Sequence, residues 1–460
     1  MSKEEYKYNS WKQETIINLD NPDPSKVLTV ENVRTVAPYI NIPSALAVGP
    51  IRGDGYGGIA TTNAKGDIII VFPNKNTASG SIFDAANPSS TNSITFTNSQ
   101  GYASGVVKLP DLNKNGFDEI GFIYYCSQDE EDALLVIDGN NLPSIVSLDD
   151  LSLLPNNVNY FMIHSDNIDY YSFSSANSFF GNPNTNDILV TYTSQNTYTR
   201  NKGAIDNIFV IRSQDFEKGQ DIYINKLATG DIVNINPVFC DGHDTTNVAY
   251  FAEGIDKFNG NVSGILLCNS GSQCIVQNGF ANMPTNVTAH ACEPKSGMVV
   301  IDGGGSYDDM ISVDFNGDGA KDVLFRAYNN IISTVWGSLN NDLPARIELN
   351  DTKHVFEVVN ASTDYRMSLS NFAGNGVGAV LGSDSYVGNA LIAGSKDYYA
   401  GLNSININDT NHFIIENEKS TTISFDLAGS ITLSGCDAPM ICNSDSAGTS
   451  YTCYIIYCNS

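Results

Sequence analysis

The sequence predicts an all-β chain assembled from propeller-like repeats, and three observations carry that prediction. An oxygen-rich loop that runs straight into an apolar strand occurs twice in strong form and four more times in weaker form. The apolar residues that open those strands are Ile59, Ile120, Ile188, Val248, Val323 and Val380, which lie 61, 68, 60, 75 and 57 residues apart. A period near sixty residues fits a unit of a few strands that buries its faces only against its neighbours. Finally, no stretch shows sustained helical amphipathicity or heptads, while 39 Gly, 23 Tyr and 21 Phe suit tight turns and packed sheets.

From the N-terminus, residues 1–40 read as a polar, then extended segment, with Asn-Pro-Asp-Pro at 21–24 acting as a linker. The repeats and a cysteine-rich end occupy 41–460 as one domain. The first weak copy is Asp54-Gly-Tyr-Gly-Gly-Ile-Ala, where Pro50 and Arg52 stand at the first two ligand positions. Arg52-Gly53-Asp54 is also an Arg-Gly-Asp triplet. In this register its guanidinium substitutes for a missing cation by pairing with Asp54 or another carboxylate. The glycines at 53, 55 and 57, like those at 374, 376 and 378, precede strands rather than helices, so they read as turn glycines and not as dinucleotide loops.

The first strong loop runs Asp111-Leu-Asn113-Lys-Asn115-Gly-Phe117-Asp-Glu119. The second runs Asp314-Phe-Asn316-Gly-Asp318-Gly319-Ala320-Lys-Asp322. Each places oxygen-bearing side chains at positions 1, 3, 5 and 9, and the position-7 carbonyls of Phe117 and Ala320 add a backbone ligand. A hard cation such as Ca²⁺ takes about six to eight oxygens, which such a loop supplies in part from one short segment. An EF-hand would need a glutamate at position 12 and flanking helices, but Phe325 stands there between strand-like runs. The plainer alternative for both loops is a polar Asx-type turn. Asn115 replaces a charged ligand, which makes the first site the weaker one. Between and after these loops, Asn184–Asp187 and His243–Asn247 keep only the polar turn, and the copy at 371–380 loses two ligands to Ala373 and Ala379.

Nine cysteines point to an oxidising compartment. Cys268 and Cys274 flank a turn-rich segment that suits a disulfide-closed hairpin, while Cys126 and Cys240 sit in apolar strands as buried thiols and Cys292 is left over. Cys436, Cys442, Cys453 and Cys458 fall in the last twenty-five residues, where several pairings are open and a zinc site is the lesser reading. His290-Ala-Cys292 is a further pair of metal-ligating types whose proximity reads as coincidence. For completing the last sheet, either 27–36 or the strand Tyr451-Thr-Cys-Tyr-Ile-Ile-Tyr serves.

The loop Asp-x-Asn-x-Asp-Gly-x-x-Asp with its following strand resembles the FG-GAP repeat of integrin α-subunit propellers. The resemblance covers about residues 40–400 and rests on Leu109–Gly121 and Val313–Leu324. It implies a seven-bladed β-propeller with four-stranded antiparallel blades, six blades being the alternative. It also implies metals that brace the blade loops rather than perform chemistry.

A net charge of −27 argues against a phosphate-backbone partner and disfavours anionic membranes. No run of roughly eighteen apolar residues and no apolar leader segment is visible. The five histidines are scattered, and neither a Gly-x-Ser-x-Gly elbow nor a His-Glu-x-x-His motif occurs. Trp336 reads as a blade-core aromatic rather than a sugar platform. The expectation is therefore a secreted or extracellular, monomeric, non-enzymatic module binding two Ca²⁺ and a cell-surface glycan or protein ligand. A propeller enzyme acting on polysaccharide, or the attachment part of a secreted toxin or effector, is the alternative.

Overall fold

The computed structural model describes residues 47–359 apart from short connecting stretches. Outside that range it describes the segments 15–18, 27–34, 369–370, 379–384, 388–393, 404–406, 412–416, 426–433, 436–444 and 451–456. The described residues contain no α-helix, only strands and two short 3-10 turns. They form seven separate sheets.

The first five sheets follow one another along the chain as four-stranded antiparallel meanders. The first is built from Ala47–Val48, Gly58–Thr62, Ile68–Val71 and Ser93–Thr97. The second is Ala103–Lys108, Glu119–Cys126, Glu131–Asp138 and Tyr160–Ser165. The third is Tyr171–Asn177, Asp187–Tyr192, Asn207–Ile211 and Ile232–Asp241. Phe251–Asp256, Ser263–Cys268, Gln273–Asn278 and Met298–Asp302 make the fourth. Tyr307–Val313, Asp322–Ala327, Ile331–Val335 and Val355–Val359 make the fifth. The sixth repeats the pattern with Leu369–Ser370, Ala379–Asp384, Gly388–Ala393 and His412–Glu416.

The seventh sheet joins the two ends of the chain. Asp426–Leu433, Cys436–Ser444 and Tyr451–Ile456 are its first three strands, and Val27–Val33 is the fourth, antiparallel to Tyr451–Ile456. The two segments that compete for this role in the sequence thus pair with each other.

Consecutive sheets are also laced together. In the first six sheets the connection between the third and fourth strands, here called the outer arm, sends a short strand back to the outer edge of the preceding sheet, and in the seventh the segment before the fourth strand does the same. Ile145–Ser147, Gln220–Tyr223, Asn286–His290, Arg346–Glu348 and Ser404–Asn406 each pair in parallel with the fourth strand of the sheet before. Phe83–Asp84 does so on Val27–Val33, and Thr15–Asn18 on His412–Glu416. The pairing is therefore cyclic, and the outer edge of each fourth strand, which would otherwise expose unpaired N–H and C=O groups, is covered.

Side-chain packing follows the same ring. Because a strand alternates faces with period 2, Ile68 and Ile70 pack toward the second sheet while Ile69 and Val71 pack toward the seventh. In the second sheet, Leu135 and Ile137 face the first, whereas Leu134 and Val136 face the third. Both faces are buried, which is why these strands read as continuous apolar runs rather than as alternations. Similar clusters join the third sheet to the fourth and the fourth to the fifth. Leu28, Val30, Met440 and Ile455 close the seventh against Ile59 and Val71 of the first. This is the architecture of a β-propeller.

One repeat lies elsewhere than the sequence pattern places it. Asp244–Thr246 is a short strand folded back on Phe239–Asp241, extending the third sheet. The second strand of the fourth sheet opens at Ser263, not at Val248. Its loop was overlooked because Ser263 replaces the acidic residue that opens the corresponding strands at Glu119, Asp187 and Asp322.

Three disulfides lie among the described residues. Cys268–Cys274 and Cys442–Cys453 link directly paired neighbours on adjacent strands. Cys240 is not a buried thiol, nor is Cys292 left over, since the two are bonded to each other across a Cα–Cα distance of 5.6 Å. The parallel register of Val238 with His290 brings them together.

Ile455 is fully buried at the seam between the last and first sheets. Ile455→Ala is expected to cost about 2–5 kcal/mol, as truncations in packed cores do. Deleting 451–460 removes the strand between Cys436–Ser444 and Val27–Val33 and should abolish the cooperative transition, both effects being read by thermal and denaturant melts.

Candidate metal loops and their surroundings

Both strong loops connect the first strand of a sheet to its second. In a meander this inner loop leaves the sheet at the same end as the outer arm, so the two meet. The contacts between neighbouring inner loops show that they share one face of the ring. Lys114 Nζ donates to Ser178 Oγ at 3.1 Å and to the carbonyl of Pro183, and Asn186 Nδ2 donates to the Asp111 carbonyl at 2.7 Å. Gly53, at φ +64°, lies where a side chain would run into the ring of Phe117.

In the 314–322 loop the oxygens are drawn in by backbone donors. Asp314 Oδ1 and Oδ2 accept from Asp318 N and Gly319 N at 3.1 and 2.9 Å. Asn316 Oδ1 accepts from Asp318 N, its Nδ2 donates to Asp318 Oδ2, and Asp318 Oδ1 accepts from Ala320 N. Asp322 is fully buried and accepts from Phe315 N, Asn316 N and Gly337 N. Burial holds the Asp322 carboxyl well above the usual carboxylate range, with Asp318 and Asp314 adding repulsion. Burial also raises Asp314.

The 111–119 loop closes in the same manner. Asp111 accepts from Asn115 N and Gly116 N, Asn113 Oδ1 from Asn115 N, and Asn115 Oδ1 from Phe117 N. Glu119 Oε2 accepts from Leu112 N at 2.6 Å. Burial, reinforced by Asp138, Asp111 and Asp118, pushes Glu119 up to about 9.

Asp138 is the neighbour that sequence reading missed. It ends the third strand directly opposite Glu119, and its carboxylate receives the amide N–H groups of both Asn113 and Asn115. Only the strand register reveals it, since Asp138 is nineteen residues beyond Glu119 in an otherwise apolar run.

The position-9 acid has a role that does not depend on metal. Asp322, Glu119 and, in the third sheet, Asp187 each accept the N–H seven residues earlier, at Phe315, Leu112 and Phe180. Asp187 accepts from Ser213 N as Asp322 does from Gly337 N. The third loop thus keeps the brace without the oxygen-bearing side chains at positions 1, 3 and 5, where Phe179, Gly181 and Pro183 stand. Burial raises Asp187 to about 6, against the pull of its two N–H donors and of Arg212.

The donor set of both strong loops is all oxygen, combines carboxylates with amides, and includes buried carboxyls that lack a cationic side-chain partner in the hydrogen-bond pattern above. That chemistry fits a hard divalent cation, which Asp314, Asn316, Asp318 and Asp322, with the Ala320 carbonyl, would hold in one loop. Asp111, Asn113, Asn115 and Glu119, with the Phe117 carbonyl, would hold it in the other.

The remaining motifs resolve structurally. Arg52 Nε lies 3.5 Å from Asp54 Oδ2, Arg52 Nη1 donates to the Thr91 carbonyl, and the guanidinium sits over the Phe72 ring. Trp336 is packed between Phe315 and Phe356, with ring centroids 6.3 and 5.7 Å away. The weak copy at 371–378 lies outside the described residues, as do Trp11, His243 and Cys458.

No protein-family model matches this chain, and no curated protein matches it. Solved structures similar to it include the WD40 domain of Toxoplasma gondii coronin, at 7% identity and a TM-score of 0.45, covering 95% of this chain and 88% of that one. BBS1N in complex with ARL6DN gives 8% identity and a TM-score of 0.43 over 94% and 98% of the two chains. The Cps50 (Swd1) beta-propeller domain of Myceliophteria thermophila gives 8% and 0.36 over 93% and 99%. Likenesses this distant say nothing of activity, and the fold stands on the cyclic strand pairing.

Asp322→Ala leaves three buried N–H donors unpaired and is expected to cost about 3 kcal/mol or more, measured by chemical denaturation. Asp187 binds its proton more tightly folded than unfolded, because its value is raised from 3.8 to about 6. Its contribution is therefore full below 3.8 and is lost as pH rises through about 6. Relative to Asp187→Asn, the parent should lose on the order of 2–3 kcal/mol between about pH 4 and about pH 8.

Proposed function

We propose that residues 41–460 form a seven-bladed, integrin-α-like propeller, closed by a strand from the N-terminal extension and braced by Ca²⁺ in the two strong loops. Its role is non-enzymatic recognition of a protein ligand outside the cell. One observation carries the recognition reading. Among the described residues, the large apolar side chains left exposed are Ile145, Leu153, Val262 and Phe280. Val262 lies on the inner loop of the fourth sheet, Phe280 on that sheet's outer arm, and Ile145 and Leu153 on the outer arm of the second. Exposed apolar side chains on loops of a rigid scaffold, three of the four aliphatic, suit a protein surface better than a sugar, which favours aromatic platforms. The disulfides and the acidic surface suit an oxidising, extracellular setting. No helix among the described residues is long and apolar enough to cross a membrane.

Calcium supplies charge neutralisation here, not chemistry. Saturating each site to a hundred times its Kd would add about 2.7 kcal/mol, so melting should rise with Ca²⁺ and fall back in EDTA. Asp318→Asn should remove the tighter of two sites in a calorimetric titration, and a single unchanged isotherm would overturn the assignment. Ligand class is decided by parallel arrays of glycans and of extracellular proteins, probed with and without Ca²⁺. Protein hits lost in a Leu153→Asp/Phe280→Asp variant of unchanged melting are expected. A defined glycan hit retained by that variant would overturn the protein-ligand reading.

A further inference from the structure

The junction between the third and fourth sheets holds three ligands of a different kind. Cys240, His290 and Cys292 each offer a ligand atom, and these atoms all lie within 4.8 Å of one another. Among the described residues this is the one group of three or more His, Cys, Asp or Glu side chains that meets that distance. The fold brings them together by pairing the fourth sheet's outer arm, Asn286–His290, in parallel with Ile232–Asp241, so that residues distant in sequence meet at one strand end. A second observation points to a ligand. His290 Nδ1 is buried and makes no hydrogen bond among the described residues. A buried imidazole nitrogen left without a partner is costly and calls for an explanation, an ion among them.

We propose that Cys240, Cys292 and His290 form a redox-gated zinc site. In the oxidised protein the two sulfurs are joined and cannot ligate. Cys292 is exposed, while Cys240 and His290 are half-buried, so an incoming thiolate has access to the bond at Cys292. A dithiol reductant transfers two electrons and two protons: the Cys240–Cys292 bond breaks, two thiols form, and the reductant leaves as its own disulfide. Zinc then binds the two thiolates and an imidazole nitrogen, releasing those two protons to solvent. Two sulfurs and one nitrogen are a donor set for zinc rather than for calcium. Three protein ligands leave the fourth tetrahedral position to water or to an exogenous group. The arm remains cross-linked to the preceding sheet in both redox states, by a disulfide in one and by a metal in the other. This proposal is independent of the calcium reading, because it shares no residue with either loop.

The test uses the full chain, reduced anaerobically with a phosphine and titrated with Co²⁺ as the spectroscopic probe. The expected result is no thiolate-to-cobalt band in the oxidised protein and one equivalent of such a band after reduction, displaced by Zn²⁺. Cys240→Ser and Cys292→Ser should each abolish it. His290→Ala leaves the disulfide intact, so its fold can be verified by melting before reduction. It should weaken Co²⁺ binding about tenfold or more and shift the visible d–d band. Absence of the band when alkylation mapping shows both thiols free would overturn the proposal. So would a band that survives in the Cys240→Ser/Cys292→Ser double variant, or His290→Ala binding like the parent.

Discussion

Everything in this structure depends on a sheet whose strands come from opposite ends of the chain. A four-stranded sheet with two apolar faces cannot stand alone in water, and the first four sheets solve that problem by packing against a neighbour on either side. A stack with free ends would leave one apolar face bare at each terminus. Pairing Val27–Val33 with Tyr451–Ile456 removes both ends at once, because the seventh sheet then covers the first through Leu28, Val30, Met440 and Ile455. The main-chain bonds of that pairing hold the register, and the apolar seam supplies the driving force.

The outer arms solve the remaining problem. Closing the ring leaves the fourth strand of each sheet facing outward with half its backbone groups unpaired. The parallel strands that return from the next sheet cover those edges and tie neighbours together independently of side-chain packing. Each arm starts at the end of its sheet that carries the inner loop and then runs along the outer edge of the sheet before, so only the inner loops, with their polar turns and buried carboxylates, define one side of the ring.

Much of the fold was legible in the sequence because the strand after each inner loop begins with an acid or a small residue and continues as an apolar run. Glu119–Cys126 and Asp322–Ala327 announce themselves in that way, and their spacing counts the sheets between them. The fourth sheet was misread for a definite reason. With Ser263 where an acid stands elsewhere, the polar turn near residue 244 resembled a loop more than the true one did. The arms left no signal at all, since three-residue segments such as Ile145–Ser147 acquire strand character only from the edge they meet. For the same reason Asp138 was missed at the metal loop, and the Cys240–Cys292 bond was missed at the third junction. Each contact is made by register across strands, which spacing along one chain does not encode. The oxygen-bearing side chains of each strong loop were readable, because all of them lie within nine consecutive residues. The bracing role of the position-9 acid was not, since it emerges only from comparing the N–H partners of Glu119, Asp187 and Asp322.

The joining of chain ends in one sheet has a consequence in time. Val27 pairs with Ile456, so a strand must wait for a partner synthesised more than four hundred residues later. At synthesis rates of about 5–20 residues per second, the interval is roughly 20 to 90 s. Throughout it, the inner edge of Val27–Val33 and the seventh-sheet side of Ile69 and Val71 have nothing to rest against. The seventh sheet is thus begun early and completed late, and the nascent chain carries an open strand and an uncovered apolar face until Tyr451–Ile456 arrives.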